Sequence, residues 1–174
     1  MQDQELIKKA FEARQRAYVP YSHFSVGAAL ETEDGQIFLG CNIENASYTP
    51  TICAERTAFF KAVSEGNRSF RQIAIVGGYS KDAKGKASAG GSAPSRCFGE
   101  ETMSDEGRKS AGASAAEVEM ELDSFAPPCG VCRQVMAEFC DPENFRIILA
   151  RSLQDYQSYT LKELLPLNFG PKDL

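Results

Sequence analysis

Apolar residues recur along the chain in short blocks, and their spacing predicts an alternation of helices and strands. Residues 3–18 carry apolar side chains at helical spacing and predict an amphipathic helix, which Pro20 ends because proline disfavours the helical state in the residue before it. Residues 24–31 and 36–41 are apolar runs joined through an Asp-Gly step, which is typical of a β-hairpin. The first quarter of the chain is therefore predicted to be a helix followed by two strands.

The later blocks predict three more helices and two more strands. The helices are expected over 53–65, 129–139 and 160–165, and the strands over 72–77 and 145–150. The near-continuous apolar run of 72–77 suits a central strand that is covered on both faces. A weaker alternation over 117–122 predicts a short strand or hairpin arm.

A low-complexity segment interrupts this pattern. Between residues 80 and 124, 22 of 45 residues are Ala, Gly or Ser, and another 15 are charged. Such a composition buries too little apolar surface to order itself. We interpret about 81–116 as a surface insertion in a single domain of 1–174, mobile unless a partner orders it. A tolerated loop is a better interpretation than a regulatory element.

Composition narrows the class of protein. A chain of 174 residues suits one domain with its own core, and a net charge of −5 argues against a nucleic-acid-binding groove. No secretory signal opens the chain and no apolar run approaches about 18 residues, so no membrane span is expected. Six cysteines without such a signal indicate reduced thiols in a cytoplasmic protein. Of these, Cys41 and Cys140 are expected to fill the core.

Three cysteines carry the most specific chemical signal. Cys129 and Cys132 have the two-residue gap that presents both sulfurs to one metal, and Cys53 supplies a third thiolate at a predicted helix start. Glu55 stands two residues from Cys53. Three ligands plus a nearby carboxylate that is not a ligand is the arrangement of a catalytic zinc site, in which the carboxylate shuttles protons. An all-cysteine ligand set is known among zinc deaminases of cytosine and adenine rings.

Other interpretations of these residues stay open. A structural zinc or binding module would need a fourth protein ligand, such as Cys41 or Cys97, and would leave Glu55 without a role. His23, the single histidine, lies in a predicted loop and is expected to be exposed or to make a structural hydrogen bond. The polar run 42–48 leads from a strand to the metal-binding helix, a common place for ligand contacts in α/β proteins.

Taken together, these motifs resemble those of a cytidine deaminase of the small homotetrameric type, whose zinc is held by three cysteines. The resemblance covers nearly the whole chain except the insertion, which is longer than the link such enzymes have there. The matching runs are Pro20-Tyr21-Ser22 with Phe24 and Val26-Gly27-Ala28-Ala29, Asn42-Ile43-Glu44-Asn45-Ala46, Cys53-Ala54-Glu55-Arg56, Pro128-Cys129-Gly130 with Cys132-Arg133-Gln134, and Leu164-Leu165-Pro166 with Phe169-Gly170-Pro171.

The resemblance implies an α/β fold of three layers, α/β/α, with a central mixed five-stranded sheet. It also implies zinc-dependent hydrolytic deamination of cytidine and 2′-deoxycytidine in pyrimidine salvage, by a cytoplasmic homotetramer. An alternative within the same chemistry is another cytosine nucleoside, such as a blasticidin-type antibiotic. The implied partners are a small nucleoside and other copies of the chain, with neither nucleic acid nor membrane.

The resemblance also implies residue roles. Zinc is held by Cys53, Cys129 and Cys132, and Glu55 moves protons between the activated water, the ring nitrogen and the departing amine. The implied substrate-binding residues are Asn42 and Glu44 for the ribose hydroxyls, Phe24 for the pyrimidine, the backbone of Ala54 for the base carbonyl, and Phe169 from a neighbouring subunit. Arg56 is expected to hydrogen-bond a thiolate and reduce the excess negative charge of the site.

Overall fold

The described residues of the computed structural model, 1–79 and 120–173 without the Lys172 side chain, form a mixed five-stranded sheet. The strands stand in the order β2-β1-β3-β4-β5. The neighbours β3 and β4 run parallel, and the other neighbouring pairs run antiparallel. The strand bounds are β1 Phe24–Thr32, β2 Ile37–Cys41, β3 Phe70–Tyr79, β4 Arg146–Ala150 and β5 Tyr156–Thr160.

Helices cover both faces of this sheet. The described helices are α1 Asp3–Arg14, α2 Ala54–Ser64, α3 Gly130–Phe139 and α4 Leu161–Leu164, followed by a 3₁₀ turn at Pro171–Asp173. The buried side chains of α1 form one core with the sheet, whereas those of α2 and α3 form a second core on the opposite face. This arrangement confirms the expected three layers. None of the helices among the described residues is long and apolar enough to cross a membrane.

The two cores follow from the period-2 geometry of the central strands. In β3, Ile73 and Ile75 belong to the core under α2 and α3, whereas Ala74 and Val76 belong to the core under α1. All four side chains are at most 1% exposed. Burying a large aliphatic side chain contributes about 1.5–3 kcal/mol, so strands buried on both faces stabilise the fold strongly.

The structure corrects two predictions from the hydrophobic pattern. The predicted helix 3–18 ends at Arg14, because the backbone of Tyr18 bonds to Asn42 and Glu44 and is therefore extended. The pattern also missed β5, whose sequence Tyr-Gln-Ser-Tyr-Thr is mostly polar and lies at the sheet edge, where its first three residues are exposed.

Other predictions lie partly or wholly outside the described residues. The insertion at about 81–116 is outside them, as are residues 117–119 of the predicted arm, while residues 120–122 are not in a strand.

Cys140 is buried in the second core, as expected, but Cys41 is only half-buried, and its thiol donates to the carbonyl of Arg16 at 3.3 Å. His23 is exposed in its loop with φ 56°, as predicted.

Candidate metal centre and active site

The N-termini of α2 and α3 bring three cysteine sulfurs together. Cys53 is the N-cap residue of α2, Cys129 is the N-cap residue of α3, and Cys132 lies in the first turn of α3. The Cys53 and Cys129 sulfurs are 3.9 Å apart and those of Cys129 and Cys132 are 3.4 Å apart, with all three within 4.8 Å of one another. Sulfurs about 2.3 Å from one tetrahedral zinc are separated by about 3.8 Å, so this cluster has the size and donor set of a zinc site.

The environment of the cluster favours thiolates. Helix N-termini stabilise negative charge. The hydrogen bond with the Cys132 thiol, and then the Arg56 guanidinium, lower the pKa of Cys53 to about 5. The hydrogen bond with Cys53 and burial raise the pKa of Cys132. Among the residues that the structure describes, no fourth His, Cys, Asp or Glu joins the cluster. Cys41 bonds elsewhere, and Cys97 lies outside those residues.

Strand β2 sets the position of α2 by a close backbone approach at Gly40. A Cβ atom built on Gly40 would lie 2.2 Å from the carbonyl oxygen of Ala54 and 2.5 Å from the N atom of Ala58. Only glycine fits between the strand and the first turns of the helix at this distance. Gly40 therefore determines how deeply the start of α2, with Cys53 and Glu55, lies against the sheet.

Glu55 lies in the first turn of α2, two residues after Cys53. It is 4% exposed, one of few buried acidic side chains in the described part of the chain. Burial raises the pKa of Glu55 to about 7, and the neighbouring Cys53 charge adds to the effect. A carboxyl of this kind can exist protonated or ionised near neutral pH, which is what a proton-transfer group requires.

Arg56 connects the cluster to the loop before α2. Its Nη2 lies 3.6 Å from the Cys53 sulfur and donates to the carbonyl of Thr51 at 3.3 Å. Its Nε is buried and has no hydrogen-bond partner among the described residues. The guanidinium thus faces a thiolate, in the position expected of a group that offsets the negative charge of three sulfurs.

The polar loop after β2 is held beside the cluster by an isolated β-bridge. Ile43 and Ile52 exchange two backbone hydrogen bonds of 3.0 Å, which place Asn42 and Glu44 next to the residues leading into Cys53. The Asn42 side chain accepts from the N–H of Val26 at 2.8 Å and donates to the carbonyl of Phe24 at 2.9 Å. The amide orientation is therefore fixed by β1.

Glu44 is oriented by the loop that precedes β1. Its Oε2 accepts hydrogen bonds from the backbone N–H groups of Tyr21 at 3.0 Å and Ser22 at 3.2 Å. Burial acts to raise the pKa of Glu44, but the hydrogen bonds from Ser22 and Tyr21 outweigh it and the pKa lies below its usual value. The carboxylate is therefore ionised and held in place at neutral pH.

An open groove of about 470 Å³ lies at this loop. It is lined by Glu44 and by four residues for which no individual role was predicted: Tyr21, Ser22, Tyr48 and Thr51. The rings of Tyr21 and Tyr48 meet edge to face at 6.4 Å, and Tyr48 is 75% exposed. The polar run 42–48 was the available signal for this groove, but its hydrophobicity pattern does not show which side chains face one another.

The remaining predicted residues are placed by the strands and the tail. The half-buried Phe24 opens β1 and packs edge to face on Tyr79 at 5.1 Å, and Ala54 begins α2, where helical N–H groups lack intrahelical partners. Phe169 does not line the groove of its own chain: its side chain is 59% exposed, and its carbonyl accepts from Gln134 Nε2 at 2.9 Å. The structure thus brings the cysteines, Glu55 and Arg56 together, whereas Phe169 is not among the residues that line the groove.

Comparisons with known proteins agree with this site. Residues 1–147 match the family model of the cytidine and deoxycytidylate deaminase zinc-binding region. The chain is 40% identical, over its whole length, to cytidine deaminases of Sporosarcina psychrophila and Halalkalibacterium halodurans, covering 96% and 98% of them. The crystal structure of cytidine deaminase from Burkholderia pseudomallei superposes with a TM-score of 0.69 and 36% identity, covering 97% of this chain and 100% of that one. The chain therefore belongs to the cytidine and deoxycytidylate deaminase family.

Proposed function

We propose that the protein is a zinc-dependent enzyme that hydrolyses cytidine and 2′-deoxycytidine to the corresponding uridines and ammonia, a reaction of pyrimidine salvage. The observation that carries this proposal is the buried carboxyl of Glu55 beside three converged thiols, to which no fourth protein ligand is added among the described residues. A structural zinc site would close with four protein ligands, whereas a catalytic one keeps a position open.

The residues of the chain divide the chemistry between them. Cys53, Cys129 and Cys132 would hold Zn²⁺, which when bound supplies a Lewis acid that makes water nucleophilic near neutral pH. Glu55 accepts a proton as water attacks the ring carbon that bears the amino group, and it passes this proton to the neighbouring ring nitrogen. It then takes the remaining proton of that water from the hydroxyl now on the ring carbon and delivers it to the amino group, so that the C–N bond breaks, ammonia leaves and the carbonyl forms.

The groove lined by Glu44 and Thr51, with Asn42 on the same loop, suits the sugar of a nucleoside. Asn42 uses one amide hydrogen on Phe24 and keeps a second, while Glu44 uses Oε2 on backbone N–H groups and keeps Oε1. One residue therefore offers a donor and the other an acceptor to the ribose hydroxyls. Phe24 would pack against the pyrimidine, and the N-terminal turn at Ala54 would meet the base carbonyl.

The exposed ring of Phe169 supports assembly into a homotetramer. An aromatic side chain that is 59% exposed on a backbone tied to α3 is suited to burial against another copy of the chain. We propose that each active site borrows Phe169 from a neighbouring subunit, so that substrate affinity depends on assembly.

The decisive experiment replaces Glu55 with glutamine. Glu55→Gln keeps the size of the side chain but removes its proton transfer, so it should retain zinc and fold while kcat falls by at least about 10²-fold. The measurement is the loss of ultraviolet absorbance on incubation with cytidine, 2′-deoxycytidine and free cytosine, with zinc content determined in parallel. The exposed Glu138→Gln serves as the matched control and should leave kcat unchanged. A Glu55→Gln enzyme within about tenfold of the parent would contradict the mechanism.

A second experiment tests the shared pocket. Phe169→Ala should raise KM for cytidine by about 3- to 10-fold with unchanged zinc content, because it removes aromatic packing on a base bound in both ground and transition states. Leu167→Ala, in the same tail and fully exposed, is the control and should leave KM unchanged. A fully active monomer in sedimentation, or an unaltered KM for Phe169→Ala, would rule the shared pocket out.

A further inference from the structure

Helix α3 carries two of the three thiols and also holds the C-terminal tail. Arg133, the residue after Cys132, donates through Nη1 to the carbonyl of Leu164 at 2.5 Å, at the end of α4. Gln134 donates through Nε2 to the carbonyl of Phe169 at 2.9 Å. The two residues that follow Cys132 in α3 therefore bind the chain after α4 at two points, Leu164 and Phe169.

The tail backbone is fixed while the side chains of Leu167 and Phe169 face outward. Gly170 is buried beside α3, where a Cβ on it would lie 3.5 Å from the carbonyl oxygen of Ala137, and its N–H donates to Asp173 at 2.8 Å. The Phe169 ring is 59% exposed and Leu167 is fully exposed with φ 55°. The segment has no helix or strand hydrogen bonds of its own before Pro171. Its conformation therefore depends on the few contacts that tie it to α3.

We propose that Gln134 is a positioning residue: by bonding the Phe169 carbonyl it fixes the direction in which the Phe169 ring leaves the surface toward the neighbouring subunit's site. Arg133 holds the start of the same segment at Leu164. Both contacts come from α3, so this helix sets the position of Phe169 relative to Cys132. Because Gln134 acts on the position of another side chain, its removal weakens substrate binding without changing the chemical step. This inference rests on the shared pocket proposed above.

The test is a double-mutant cycle on the zinc-loaded full-length enzyme. Gln134→Met keeps the length of the side chain but cannot donate, and it should raise KM for cytidine by about 2- to 4-fold at constant kcat and zinc content. In the Phe169→Ala background the same change should have no further effect, because the ring that it positions is absent. Gln134→Lys, which keeps an N–H donor, should stay near the parent KM. Gln4→Met, on the exposed surface of α1, is the matched control.

Hydrogen exchange provides a readout that does not depend on the pocket. Amides of residues 165–173 should exchange faster in Gln134→Met than in the parent or in Gln4→Met, because the tail loses a tie to α3. An unchanged KM in Gln134→Met, when Phe169→Ala raises KM, would overturn the positioning role. Additive effects in the double mutant or loss of zinc would overturn it as well. If Phe169→Ala leaves KM unchanged, the proposal of a shared pocket is refuted. Faster exchange of the tail in Gln134→Met would then show that the hydrogen bond from Gln134 holds the tail but has no role in substrate binding.

Discussion

Replacing Gly40 with alanine is expected to damage activity far more than stability. The added Cβ would lie 2.2 Å from the Ala54 carbonyl oxygen and 2.5 Å from the Ala58 N atom, whereas ordinary contacts begin at 3.4 Å. Both atoms are helix backbone, so no side chain can move aside. The start of α2 must therefore shift by about 1 Å away from β2.

This shift carries two residues of the site with it. Cys53 and Glu55 flank Ala54, and a displacement of about 1 Å at reacting groups can cost about 10²-fold in rate. Overpacking itself costs about 1–3 kcal/mol, or roughly 3–10 °C in Tm for a chain of this size. We therefore expect Gly40→Ala to fold, to bind zinc more weakly and to lose about 10²-fold in kcat.

Gly66→Ala is the control that separates the two effects. Gly66 ends α2 at φ 95° with nothing within 4 Å of the position of a Cβ, so alanine there costs roughly 1–2 kcal/mol of strain without moving the site. Thermal melts by circular dichroism at one protein concentration should show similar losses for both variants, and the cytidine absorbance assay should show a fall in kcat for Gly40→Ala alone. Similar kcat values for the two variants would refute the argument that β2 sets the depth of α2.

Two further predictions concern the metal and a buried polar network. Cys129→Ala should lose zinc and Cys41→Ala should keep it, because the Cys41 thiol bonds to a carbonyl away from the cluster; metal analysis of the two purified proteins decides this. Gln72→Leu removes the 2.5 Å hydrogen bond that Gln72 donates to the buried Glu31 and the 2.8 Å hydrogen bond that it accepts from Arg146, and it should cost about 1–3 kcal/mol at pH 7 in urea unfolding. Burial acts to raise the pKa of Glu31, but hydrogen bonds lower it on balance. The loss of stability in Gln72→Leu should therefore shrink as pH falls through that lowered pKa, because the carboxylate becomes protonated. A loss of stability that grows in acid would contradict this prediction.

The sequence predicted the parts of the fold that its apolar residues determine. Strands β3 and β4 bury both faces, so their residues form continuous apolar runs that identify them. Strand β5 is held by main-chain pairing to β4 at the sheet edge, and side chains such as Gln157 carry no signal of that pairing. The end of α1 was missed for a similar reason, since the bridge of Tyr18 to Ile43 is made by backbone atoms.

The site was predictable where spacing limits the chemistry. Cys129 and Cys132, three positions apart, can reach one metal whatever the rest of the fold does. Glu55 lies only two positions after Cys53, the third cysteine of the cluster. The groove was not predictable, because Tyr48 and Tyr21 meet through the fold and not through proximity in sequence. The hydrogen bond from Gln134 to Phe169 spans 35 positions and depends on where the tail turns. A local sequence pattern does not predict that turn.

The parallel pairing of β3 with β4 also bears on how the chain folds. Gln72 and Arg146 are partners 74 positions apart, and Cys53 and Cys129 are 76 apart, so the strand pair and the cysteine cluster close two long loops that share residues 72–129. The entropy of closing a loop grows only logarithmically, by about 0.6 kcal/mol per doubling, which explains why the chain tolerates a long connection there. A metal held by the cysteine cluster and the pairing of β3 with β4 would therefore both constrain this shared connection. Chelation should therefore loosen β4 from β3 before it loosens β1 from β2.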